Sequence, residues 1–115
     1  MTRLEKSRHL IRIARGALYI ERETCDLYLP DISAVALLQR EGLVFLLPLR
    51  GASAGGCLLK QRNVRGDRVV HVPEFLRSIG IDESAPDCSV SASWVSEMAA
   101  LRLDGLPGHV GEDAC

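Results

Sequence analysis

Aromatic residues are scarce in this 115-residue chain: two Tyr, two Phe and one Trp make up 4% of it. A core with so few rings must be aliphatic, built from Leu, Val, Ile and Ala. Close cysteine pairs are absent too. Cys25, Cys57, Cys88 and Cys115 lie far apart with no Cys-x-x-Cys, which argues against a disulfide-stapled miniprotein and against the usual structural zinc site. The first three are expected to be reduced thiols that behave as small hydrophobes. No apolar run approaches membrane-spanning length. The basic N-terminus is not followed by the apolar segment of a signal peptide. These absences point to a cytoplasmic protein that does not enter the membrane.

Lysine is nearly missing as well, with two against twelve arginines. Arginine suits planar, two-pronged contacts with carboxylate or phosphate. The net charge of −1 conceals a polarity along the chain. Residues 1–81 carry 13 basic and 8 acidic groups, whereas residues 82–115 carry 1 and 7. Such a division can orient the protein toward a charged partner or toward another copy of itself.

The most informative stretch is Cys57 to Ile81. Two apolar-containing runs, Leu58 to Val64 and Arg68 to Val72, flank Arg65-Gly66-Asp67, the signal of an antiparallel hairpin. The turn is centred on either Arg65-Gly66 or Gly66-Asp67. Pro73 ends the second strand and suits the first turn of a helix. Phe75, Leu76 and Ile79 share a helical face, Glu74 and Arg77 complement the helix dipole, and Gly80 caps the end.

Elsewhere the elements are less sharply marked. Residues 3–15 fit a basic amphipathic helix ended by Gly16, although His9 to Ile13 also alternates like a strand. Ala17 to Leu29 holds both tyrosines and an acidic group of Glu21, Glu23 and Asp26, followed by a Pro30-Asp31 turn. Ile32 to Gln39 and Leu43 to Leu49 read as two strands joined around Arg40-Glu41-Gly42, with a helix from Asp31 as the alternative. Val44 to Leu47 is apolar on both faces, as in a strand covered on both sides, and Pro48 marks a bulge or an end. Cys88 to Trp94 alternates as a strand. Glu97 to Leu103 is a closing strand or a short helix, and residues 105–115 read as a Gly-rich, acidic, disordered tail.

Two groups are candidates for function. Lys60 and Arg62 fall on one strand face, and the turn brings Arg65 and Arg68 near them. Four cations on one ribbon suit phosphates of a nucleic acid, or a protein partner. No aromatic residue interleaves them for base stacking. The second group is a possible ligand site at His71 and the small-residue loop with Gly55 and Gly56. That loop lacks the spacing of a phosphate-binding loop or of a dinucleotide fingerprint. No cofactor, metal or catalytic residue is expected.

Val70-His71-Val72-Pro73-Glu74-Phe75-Leu76-Arg77-Ser78-Ile79-Gly80-Ile81 resembles the strand-Pro-helix-Gly segment of the AbrB/MazE swapped-hairpin regulators. The resemblance spans at most residues 66–103 and implies a dimer that binds operator DNA through a basic face. Arg68 stands one residue farther from Pro73 than in that pattern, and the helix is one residue shorter before Gly80. The whole chain reads as one α+β domain over residues 1–104. It has an N-terminal helix, a mainly antiparallel sheet of about five strands, and a short helix after Pro73. The expected role is non-enzymatic binding by a small homodimer, because the sheet carries more apolar surface than one short helix covers.

Overall fold

Glycines at positive φ set the path of the chain. In the computed structural model, which describes residues 9–50 and 56–106, Arg15-Gly16 and Glu41-Gly42 both adopt left-handed backbone. Two successive left-handed residues form the turn whose twist matches paired strands. The first joins β1 (His9–Ala14) to β2 (Ala17–Ile20), and the second joins β3 (Ala34–Arg40) to β4 (Leu43–Leu49). Between these hairpins lies α1 (Arg22–Tyr28). The chain continues through β5 (Cys57–Leu58), β6 (Lys60–Gln61), β7 (Arg68–His71), α2 (Pro73–Ser78), β8 (Cys88–Val95) and β9 (Ala100–Asp104).

Strands take up 48% of the described residues and helices 14%. The protein is therefore mainly β, not α+β, and the described residues form nine strands where about five were expected. Residues 9–14 of the expected N-terminal helix are a strand; its first residues lie outside the described part. The strand alternation of His9 to Ile13 wins because Ile11 and Ile13 are buried while Leu10 and Arg12 face out. The hairpin at Arg65-Gly66-Asp67 is present, but a longer loop joins Gln61 to Arg68. Ile32 to Leu49 took the hairpin alternative, and the helix after Pro73 formed as read. Gly80 at φ 95°, with Gly80 N–H donating to Arg77 O and Ile81 N–H to Leu76 O, closes it.

All pairings are antiparallel, in the order β5-β3-β4-β9-β8-β1-β2-β7-β6. The two ends of this order, β5 and β6, are consecutive in the chain with only Leu59 between them. Cys57 and Leu58 pair with β3, Lys60 and Gln61 pair with β7, and Leu59 N–H donates to Ser33 O at 2.8 Å. One short strand thus bridges both edges, and the sheet curls into a nearly closed barrel. Closure removes the exposed edges of an open sheet. It also buries the apolar surplus behind the expectation of a homodimer: Ile11, Leu18, Val35, Leu46, Val70 and Leu101 face one another inside, all fully buried. Leu76, Ile79 and Ile81 join the same core from α2 and the turn after it, and Cys25 and Leu29 join it from α1 and its C-cap. Leu106, inside the expected tail, is buried as well; residues 107–115 lie outside the described part.

Both halves of the chain have the same order: hairpin, helix, hairpin. β1, β2, α1, β3 and β4 form the first; residues 57–61, β7, α2, β8 and β9 form the second. The pairings between halves follow the same rule. β1 lies beside β8 as residues 57–61 lie beside β3, while β2 pairs with its counterpart β7 and β4 with its counterpart β9. A pseudo-twofold axis relates the halves. It crosses the barrel wall at the opposed pair Tyr19 and Val69 and leaves at the opposed pair Leu46 and Leu101.

Candidate nucleic-acid interface

Residues directly opposed in an antiparallel pair point to the same face, and their neighbours along the strand point to the other. Ile11, Ile13, Leu18, Ile20 and Val70 face the core. Arg12, Tyr19, Val69 and Lys60 therefore face outward, in one row across β1, β2, β7 and β6. Arg62, two residues beyond Lys60, lies on this side too. The Arg12 guanidinium carbon stands 4.3 Å from the centre of the Tyr19 ring, and that of Arg62 stands 5.1 Å from it. A ring face attracts cations at this range. Tyr19 thus holds two arginines from different hairpins side by side. A groove of about 260 Å³ runs past them, lined by Arg12, Tyr19, Arg62 and Arg65 and by the carboxylates Glu21 and Asp67.

The four cations expected from the sequence separate into three situations. Lys60 and Arg62 are exposed, and neither makes an ion pair among the described residues. Arg65 is bound to Asp67 at 2.8 Å. Arg68 leaves the patch altogether: it opposes Ile20, so it shares the core-facing side, and its Nη1 donates to Ile32 O at 3.5 Å. Its Nε is buried with no partner among the described residues. Arg12 takes its place on the outer face. It also pairs with Asp87 at 3.2 Å, where both side chains are well exposed, so this pair is weak enough to exchange for another anion.

Asp67 builds the loop that carries the patch. Its carboxylate accepts from Arg22 N–H at 2.9 Å, Asn63 Nδ2 at 3.0 Å and Arg65 Nη2 at 2.8 Å, while its own N–H donates to Asn63 Oδ1. The Arg22 amide is the first of α1, so the loop of one half satisfies the helix start of the other. The Asn63, Arg65 and Arg22 donors hold the Asp67 carboxyl well below the usual carboxylate range. Because the folded value is depressed, the stability it gives is complete above the ordinary Asp pKa of about 4 and is lost as pH falls through the folded value. Asp67→Asn is expected to lower the urea midpoint at pH 7 and to flatten its decline below about pH 4. An acid profile that overlays the parent would remove Asp67 from this role.

Of the ligand site expected at His71 and the small-residue loop, only His71 and Gly56 are among the described residues. His71 is exposed on the outer face, opposite Ala17. Gly55 lies outside the described residues. Gly56, at φ 83°, packs its α-carbon against β3: a β-carbon there would stand 2.7 Å from Val35 O. Its role is to let the chain enter the closing strand. Cys25 is buried, and burial pushes its thiol up to about 11, which suits an inert core residue. No helix among the described residues is long and apolar enough to cross a membrane.

Arg12 and Tyr19 are the site residues that sequence reasoning missed. Arg12 had been placed on a helix, and Tyr19 reaches the basic ribbon only through the pairing of β2 with β7. No family model matches the chain, and neither the curated proteins nor the solved structures yield a match.

Proposed function

We propose that this protein is a non-enzymatic nucleic-acid-binding protein that uses the outer face of β1, β2, β7 and β6. The observation that carries the reading is the row of Arg12, Lys60 and Arg62 around Tyr19, an aromatic ring between cations on an open face. Guanidinium and ammonium groups in this setting neutralise phosphates and release counterions. The half-buried Tyr19 ring, with guanidinium groups over it, adds a π surface beside which a base or a sugar can pack. The AbrB/MazE resemblance supports the same reading. Its span, residues 66–103, falls within the second half of the barrel, and the dimer it implies has a counterpart in the pairing of that half with the first.

Binding of the reduced, full-length chain to random duplex DNA and duplex RNA across a salt series tests the reading. Affinity should fall linearly with salt on logarithmic axes, and Arg62→Ala should reduce the slope by about one while leaving the fold intact. No salt-dependent binding to either duplex would overturn it and leave these arginines as the solvated exterior of a barrel.

A further inference from the structure

The outer face is not only basic; it repeats its charges about an axis. Tyr19 and Val69 lie at the pseudo-twofold axis, each the same number of residues past a turn glycine, Gly16 or Gly66. Arg12 opposes Tyr19, and Lys60 opposes Val69, so Arg12 and Lys60 are counterparts. The residues before the two turn glycines are counterparts as well, and both are arginine: Arg15 and Arg65. Arg12 and Lys60 therefore flank the axis on the outer face, and the rim pair is held by carboxylates, Arg15 by Asp87 at 3.8 Å and Arg65 by Asp67 at 2.8 Å. The core side of the same strands has not kept this match, since Leu18 corresponds to Arg68. On the open face Arg12 and Lys60 keep the match, whereas Arg62 corresponds to Ala14.

We propose, resting on the nucleic-acid reading above, that one chain spans a single site on B-form DNA with its pseudo-twofold axis on a dyad of the duplex. Arg12 and Lys60 then contact phosphates of opposite strands. The spacing agrees. Arg12 and Lys60 stand on strands separated by three inter-strand steps, about 14 Å, against a major groove about 12 Å wide. The major groove of A-form RNA is too narrow to admit the face. Two copies of a smaller protein would ordinarily supply the two halves of such a surface; here one barrel supplies both. The halves differ at their rims. Arg15 sits in a two-residue turn, whereas Arg65 sits in the longer Asp67-braced loop, which also presents Val64 at 98% exposure. The DNA site is accordingly an imperfect inverted repeat.

The test is selection of the reduced, full-length chain on a duplex DNA library with a randomised centre. Sedimentation on a selected duplex follows, with the same measurements on duplex RNA. The expected result is an inverted repeat bound by one chain per duplex. Arg12→Ala and Lys60→Ala, checked for folding by circular dichroism, should each weaken binding roughly five- to tenfold at 0.1 M salt and lower the salt slope by about one. Two chains per duplex, a site without inverted symmetry, one of the two substitutions being silent, or equal affinity for duplex RNA would each overturn the proposal while leaving nucleic-acid binding intact. Absence of binding to both nucleic acids would overturn the function itself.

Discussion

Gly56→Ala is expected to destabilise the protein by about 2–5 kcal/mol, from a left-handed backbone cost of about 1–2 kcal/mol and an overpacking cost of about 1–3 kcal/mol. At φ 83° any β-carbon is strained, and here it would also meet Leu49 Cδ1, and Val35 O at 2.7 Å. The leucine tip can rotate away. The carbonyl cannot, because it belongs to β3 where that strand receives β5. Gly105→Ala is the control: its φ is 90°, yet none of the described residues stands within 4 Å of the added carbon. That variant should show the backbone cost alone. Urea midpoints with unchanged m-values would measure both. If Gly56→Ala costs no more than Gly105→Ala, the close approach of Gly56 to β3 is wrong.

The second large effect lies where the axis leaves the barrel. Leu46 and Leu101 are directly opposed on β4 and β9, and neither has any exposed surface. Truncating either to alanine removes buried methyl groups and leaves a cavity that paired strands cannot collapse around. Leu46→Ala and Leu101→Ala should each cost about 2–5 kcal/mol. Because the positions are counterparts, the two losses should be similar. The double variant should depart from their sum by at least about 0.5 kcal/mol, since the side chains share one site. A double-mutant cycle by urea denaturation reads both quantities. A near-neutral result at either leucine would mean that this wall of the barrel is not closed as described.

Local signals made much of the chain legible from sequence. Gly16, Gly42 and Gly80 marked true chain reversals or ends because a left-handed backbone favours glycine, although Arg15 and Glu41 adopt it too. Pro73 announced α2 for the same local reason. The N-terminal strand was misread because Leu10, Ile11, Ile13 and Ala14 suit a helical face as well as a buried strand, and only the partner strands decide. α1 was missed: it is seven residues long, lacks a side-chain cap of its own, and takes its amide partner from Asp67 in the other half. The strand count fell short because β1 was taken for a helix, β2 was not read, and the run from Leu58 is split between the two-residue strands β5 and β6.

The candidate site was half legible for a related reason. Spacing along one ribbon placed Lys60 and Arg62 on a common face. It could not show that Arg68 would turn toward the core, nor that Tyr19 would arrive from a different hairpin. Those facts belong to register between strands that are distant in sequence. The signal for them in the sequence is the shared Arg-Gly at residues 15–16 and 65–66, the trace of the two matching halves.

The bridging strand at residues 57–61 also bears on how the chain reaches this state. β1 has no second neighbour until β8 is made, and β3 waits for residues 57–61 in the same way. Neither hairpin-helix-hairpin unit can finish its share of the wall alone, so the first half emerging from a ribosome has open edges until the second arrives. Pairings of such long reach carry a large loop-closure entropy and place the protein among slow folders, on the scale of milliseconds to seconds. The interlocking of the halves therefore also makes completion of the wall wait for the last of these long-range pairings.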